Sequence, residues 1–271
     1  MTHPLHTIDL SIDHHVHTSY CGHAIGKMED YVLAGINKGL AKIIFLEHME
    51  AGIDYFERTW LTDQDFDHYF KEGRKLQRHY QGQIEIGLGV EVGYNPEYRN
   101  ELITRLKQHN WDQIGLSFHY LPVADKPNGH RHLNLVSRKP ANIKAMQAAD
   151  PDQTLSHYFA VLKEAVQTLN VDHICHLDAA LRFVPGLHLT DKHHQQITSL
   201  LDLMADHNVA LEINTSGFVI RDRPYPDCTI INQAATRNIP LLASSDAHRP
   251  EDVGRLFNRL PDYLESCRST S

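Results

Sequence analysis

The stretch DHHVHTSYCGHA, residues 13–24, carries four histidines and one aspartate. Imidazole nitrogens and carboxylate oxygens bind zinc, manganese and iron. The same residue types recur at intervals along the chain: Glu47 and His48 in FLEHM, Glu91 in GVEVGY, His119 in GLSFHYL, and His176 and Asp178 in CHLDAALRF. Glu212 and Asn214 follow in LEINTSG, and Asp246 and His248 in SSDAHRPEDVG. A single histidine after an apolar run is more often a hydrogen-bonding residue than a ligand. The joint pattern points to a metal site. About eight ligands exceed what one ion takes, and a carboxylate such as Glu91 or Asp246 can bridge, so two or three ions fit the count. Two ions about 3.5–4 Å apart suit phosphoryl transfer, because they clamp attacking and leaving oxygens together.

Short apolar runs are needed to position these groups. Candidate strands are residues 11–17, 42–48, 84–93, 113–121, 172–178, 210–217 and 240–248. Segments of helical spacing lie between them: 27–40, 63–81, 96–110, 152–170, 193–209, 229–239 and 250–266. Pro96 and Pro250 suit first-turn positions. Seven strand-then-helix units predict an α/β fold with a parallel sheet. A barrel gathers the C-terminal strand ends into one bowl, whereas an open sheet spreads them along a line. Side-chain alternation then puts Asp13, His15 and His17 on one face of the first strand, with His14 and Val16 on the other. The segment 121–151 fits neither period and reads as a long loop with one helical turn.

The remaining histidines are expected to serve structure or solvent. His68, His79, His109 and His207 lie on amphipathic segments, His193 and His194 open a helix, and His3 and His6 sit near the terminus. His130, His132 and His173 stay open. Cys21 and Cys175 read as small buried residues. Glu47 is expected to partner a histidine, or else to ligate. The formal net charge of −8 leaves no electrostatic footprint for long nucleic acid or anionic membrane. No run approaches a membrane span, and no signal peptide is evident. The four cysteines are dispersed without a CxxC pair. That usage argues against a structural zinc knot and for a reduced, cytoplasmic setting.

Taken in order from about residue 11 to 256, these motifs resemble the polymerase and histidinol phosphatase (PHP) superfamily, and within it the monofunctional histidinol phosphatases. The resemblance implies a single PHP domain over 1–271, folded as a distorted seven-stranded (β/α)7 barrel with the metal site at the C-terminal strand ends. It implies three ions: one on His15, His17, Glu91 and Asp246; one on Glu91, His119 and His176; one on His23, His48 and His248. The implied reaction is metal-dependent hydrolysis of a phosphate monoester, L-histidinol phosphate in histidine biosynthesis, by a metal-bound hydroxide.

Asp246, His248 and Arg182 are the expected catalytic residues. Arg182 just after the fifth strand is also the expected phosphate contact, ahead of Arg221 and Arg249. Glu212 and Asn214 are assigned to the substrate's amine and imidazole. Asp13, Glu47 and Asp178 are assigned to orienting the ligands. Segment 121–151 departs from the family pattern and is where substrate selection is expected. The alternative is a PHP phosphoesterase acting on nucleotides or short oligonucleotides. The partner is in either case a small phosphorylated compound. The sequence leaves the choice among zinc, iron and manganese, and the oligomeric state, open.

Overall fold

The structure is a computed structural model describing residues 8–124 and 129–268. His3 and His6 lie outside the described residues. Seven parallel strands form one sheet in the order β1 (Ile12–Val16), β2 (Lys42–Met49), β3 (Glu85–Gly93), β4 (Ile114–Ser117), β7 (His173–Ile174), β8 (Ala210–Asn214) and β9 (Leu241–Ser244). A parallel bridge from Val16 to Ala247 brings the end of β9 back beside β1, and the His17 N–H donates to the Ala247 carbonyl at 2.9 Å. This is the distorted seven-stranded barrel anticipated above.

β2 and β3 are buried on both faces, which is why KIIFLEHM and EIGLGVEVG lack the alternation of a half-exposed strand. The lumen is narrow. Ile12, Ile44, Leu46 and Cys175 pack within it. A Cβ at Gly89 would stand 2.4 Å from the Gln113 carbonyl and 2.7 Å from Leu46, so only glycine fits there.

Helices α1 (Met28–Asn37), α2 (Asp63–His79), α3 (Arg99–Leu106), α5 (Pro151–Thr168), α6 (Asp191–Asp206), the short α7 (Gly217–Arg221) and α8 (Cys228–Thr236) follow the strands. α2 shows why they form. Thr62 caps its first turn and receives the Asp65 carboxylate in return. Phe66, Tyr69, Gly73 and Leu76 then recur at helical spacing on the buried face. Among the described residues no helix is long and apolar enough to cross a membrane.

Three expectations need correction. Segment 121–151 is not a long loop. It forms an antiparallel pair, β5 (Tyr120–Pro122) with β6 (His132–Asn134), followed by α4 (Pro140–Ala148). The helix expected over 250–266 is broken into two 3-10 turns, Pro250–Asp252 and Phe257–Arg259, before α9 (Leu260–Arg268). Gly254 and Leu256 both take positive φ, which ends any continuous helix. Finally, two of the dispersed cysteines meet: Cys228 of α8 and Cys267 of α9 form a disulfide across 39 residues, while Cys21 and Cys175 are free and buried. Nothing in the spacing foretold that pairing, because it depends on how α9 packs on α8.

Candidate metal centre

The first strand departs from simple alternation. Asp13 stands opposite Ile43 of β2, and Val16 opposite Phe45. β1 therefore uses one more residue than β2 over this interval, a β-bulge, which re-aims side chains locally. His14 and His15 both turn into the lumen. His14 Nδ1 meets the Gln113 side chain at 2.8 Å, and His15 Nδ1 meets Glu212 at 2.8 Å. Asp13 faces away, toward Ser245 and Gly254. It does not orient a histidine ring, so that expectation is corrected.

The strand ends converge on Glu91, which is fully buried. His48 Nδ1 lies 2.8 Å from its Oε2, and His15 Nε2 and His17 Nε2 lie 3.4 and 3.6 Å from the same oxygen. On the other side His176 Nε2 and His119 Nε2 lie 2.9 and 3.2 Å from Oε1. Asp246 Oδ1 stands 3.4 Å from His17 Nε2 and 3.9 Å from His15 Nε2. His23 Nε2 and His248 Nε2 approach to 2.8 Å at the outer edge. All nine residues expected as ligands are thus gathered at one end of the barrel.

Their chemistry fits cations. His15, His17 and Asp246 each bring a ligand atom within 4.8 Å of the others, as do His17, His48 and His248. His48 Nδ1 and Glu91 Oε2 approach closely, yet neither has a hydrogen-bond partner among the described residues. Buried polar atoms left this way cost free energy unless something else satisfies them. A divalent ion between them would. Burial alone would raise the carboxyl pKa of Glu91, but His119, His48 and His15 outweigh it and hold the group well below the usual range. Asp246 is held ionised in the same way: burial opposes, and His17, His15 and His248 prevail.

Supporting contacts fix the ring orientations, and several differ from expectation. Glu212 is wholly buried and is not a substrate group. It meets His15 Nδ1, accepts from the His176 backbone N–H at 2.6 Å and from the Ser244 hydroxyl. Asn214 is likewise buried: its oxygen accepts from Ser216, and its amide faces Glu212 and Asp246. Neither lines the cavity, because β8 sends them into the lumen below it. Asp178 orients no ligand. It holds Arg221 through two 3.0 Å bonds, which also removes Arg221 from the phosphate-contact candidates. Glu47 accepts from the Thr18 N–H and hydroxyl rather than from a histidine, and burial pushes its carboxyl up to about 8.

Sequence reasoning missed Glu50. It is buried and lies 2.9 Å from His119 Nδ1. Burial would lower the His119 pKa, yet Glu91 and Glu50 together lift it to about 10. The signal was available, since Glu50 is two residues beyond His48 and shares its face if the strand runs on. Ser117, bonded to Glu91, was missed as well.

A cavity of about 540 Å³ opens above this floor. Its walls include Tyr120, Asn134, Arg138 and Lys139, the last three from the 121–151 segment, and Arg182 beyond β7. Arg182 Nε is buried with no hydrogen-bond partner among the described residues. Arg249 stands at the exposed rim. His130 and His132 do not line the cavity. Both bond to Asp54, and they fasten the 51–61 loop to β6.

The family model described as PHP domain matches residues 13–216, and one described as PHP-associated matches 231–267. A protein of Deinococcus radiodurans named a probable histidinol-phosphatase is 29% identical over 249 residues, covering 90% of this chain and 89% of that protein. The histidinol-phosphatase of Bacillus subtilis is 26% identical over 275 residues, covering 94% and 98%. In structure, the chain resembles the histidinol phosphate phosphatase of Lactococcus lactis crystallised with zinc, L-histidinol and phosphate. The TM-score is 0.74 at 18% identity, covering 94% of this chain and 93% of that one.

Proposed function

The chain belongs to the PHP domain family, and on that premise we propose that it is a metal-dependent phosphatase that hydrolyses L-histidinol phosphate to L-histidinol and phosphate. The carrying observation is the convergence of His15, His17, His48, His119 and His176 on the two oxygens of Glu91 at the floor of an open cavity. The names of the similar proteins, and the zinc, histidinol and phosphate in the Lactococcus lactis structure, support this substrate.

His15, His17, Glu91 and Asp246 would hold one divalent ion, Glu91, His119 and His176 a second, and His23, His48 and His248 a third. Bound there, such ions lower the pKa of water toward 7 and neutralise phosphoryl oxygens. The chain's own groups prepare that chemistry. Glu212 and Glu50 take the Nδ1 side of His15 and His119, so that each Nε2, which faces Glu91, would be the atom offered to an ion. Glu91 and Asp246 stay ionised and supply the negative charge that retains cations. Arg182 would meet the phosphoryl oxygens from the wall, where burial strengthens a charge-assisted bond. His248 lines the cavity beside Asp246, its Nδ1 3.5 Å from Asp246 Oδ1. In the net reaction the ester P–O bond breaks, the attacking oxygen comes from water, and the alcohol leaves with a proton.

The single-domain reading of 1–271 belongs to the same proposal and is supported by one core cluster running from Val16 to Leu264. So does the cytoplasmic assignment, which the Cys228–Cys267 pairing opposes. A second reading, a nucleotide phosphoesterase, is favoured by Arg138 and Arg249 on the cavity wall and rim. Phosphate release from histidinol phosphate, AMP and a nucleoside bisphosphate, each with zinc, iron or manganese added, tests the proposal. The expected result is the highest kcat/KM on histidinol phosphate. Negligible turnover of it beside rapid turnover of a nucleotide transfers the assignment to the second reading.

A further inference from the structure

Asp13 is a fully buried carboxylate with no cationic hydrogen-bond partner among the described residues. Placing such a group in the interior is costly unless its oxygens are well bonded. Its bonds all go to neutral donors: Oδ1 accepts from the Ser245 N–H at 2.9 Å and, more weakly, the His15 N–H at 3.4 Å. Oδ2 accepts from the Ser245 hydroxyl at 2.5 Å and the Gly254 N–H at 2.7 Å. Two of these four bonds hold Ser245, where the chain leaves β9, and a third holds Gly254 further on.

Ser245 directly precedes Asp246. Asp246 has a φ of +50°, the left-handed region that a non-glycine residue enters only when its surroundings enforce it. The enforcement is two-sided. Asp13 takes the N–H and hydroxyl of Ser245, while Arg255 donates to the Ser245 carbonyl at 3.1 and 3.0 Å and to the Asp246 carbonyl at 3.4 Å. Without the Asp13 side, Ser245 keeps only its bonds from Arg255, and the Ser245–Asp246 peptide can relax toward ordinary φ even though Ala247 stays bridged to Val16. That rotation would carry the Asp246 carboxylate away from His17 Nε2, from which Oδ1 now stands 3.4 Å. The bulge in β1 makes this possible, since it turns Asp13 to the outer side while His15 and His17 stay inside.

We propose that Asp13 is a positioning residue for Asp246: it clamps Ser245 so that the Asp246 carboxylate is presented to the metal centre. The inference rests on the reading of Asp246 as a metal ligand. Asp13 itself touches neither substrate nor metal.

The test is zinc affinity, measured by competition with a chromogenic chelator, for the full chain and for Asp13→Asn, Ser245→Ala, Asp246→Ala and Leu200→Ala. Asparagine keeps the shape but turns an amide donor toward the N–H donors of Ser245 or Gly254. Leu200 is a buried core residue of α6 and reports stability loss alone. Asp13→Asn should weaken zinc binding about 10-fold or more, the scale for groups that support ligands. Ser245→Ala should weaken it less, and Leu200→Ala should leave it within about two-fold. For Asp13→Asn, kcat should recover in part at excess zinc. If Asp13→Asn does not fold, Ser245→Ala decides. Unchanged affinity in the folded variants, with Asp246→Ala impaired, overturns the role of Asp13 alone. Absence of zinc binding by the unmodified chain overturns the metal reading and this inference with it.

Discussion

His15 Nδ1 lies 2.8 Å from Glu212, and both side chains are completely buried. The carboxylate fixes the Nδ1–H tautomer and leaves Nε2 as the donor atom. Glu212→Gln keeps the size and removes the charge. Zinc affinity, read by titration calorimetry, should fall about 10- to 100-fold. Affinity equal to that of the unmodified chain would return Glu212 to a purely structural role.

Gly93 leaves the space that Glu50 occupies: an added Cβ would come within 2.0 Å of Glu50 Oε1. Gly93→Ala must displace Glu50 and strip His119 of its partner. The overpacking itself should cost about 1–3 kcal/mol. We expect a lower melting temperature together with reduced activity in steady-state assays, and a smaller kinetic loss for Glu50→Gln. A Gly93→Ala enzyme with normal kcat would show that His119 does not depend on Glu50.

Arg182 is the cation on the cavity wall whose Nε has no hydrogen-bond partner among the described residues. A hydrogen bond to a charged group contributes about 1.5–3 kcal/mol. Arg182→Ala should therefore lower kcat/KM about 10- to 100-fold, with lysine restoring part of it. Arg221→Ala should act mainly on stability, because Arg221 is committed to Asp178. Equal kinetic losses for both would contradict this division.

His173 is buried, and burial lowers its pKa to about 3 from the ordinary 6.5. The folded state therefore refuses a proton that the unfolded chain accepts. Its stabilising effect is complete above pH 6.5 and is lost as the pH falls toward 3, by about 1.4 kcal/mol per unit. Chemical denaturation of metal-free protein across this range should show that slope, and His173→Gln should flatten it by about one proton. A slope unchanged by the substitution would remove His173 from the account.

The Cys228–Cys267 disulfide closes a 39-residue loop and joins α9 to α8. Chain entropy assigns such a link about 4 kcal/mol. Cys228→Ser should lower the melting temperature under oxidising conditions and leave it unchanged under reducing ones. Identical melting of the two proteins with and without reductant would mean that the bond does not form.

Much of this site was legible in the sequence. The residues proposed as ligands, His15, His17, His48, Glu91, His119, His176, Asp246 and His248, were visible because each ends an apolar run, and a parallel barrel aims all such ends one way. The residues that hold them were read poorly. Glu212 and Asn214 look like substrate groups in the string, yet β8 points them into the lumen beneath the floor. Asp178 looks like a partner for His176, but the strand stops at Ile174 and the chain turns, with His176 at a φ of +28°, so Asp178 swings to Arg221.

By itself, the sequence determined residue type and order: which strand ends carry imidazole or carboxylate, and that seven such units alternate with helices. These follow from local periodicity and from the direction that a parallel strand imposes. Tertiary structure alone decided who faces whom. One extra residue in β1 set Asp13 against Ser245 and put His14 and His15 on the same side. The folding of 120–148 into a strand pair and a helix put Arg138 and Lys139 on the cavity wall. The packing of α9 joined Cys228 to Cys267. Each depends on contacts between residues far apart in the chain, and a bulge or a disulfide partner leaves no periodic trace in the string.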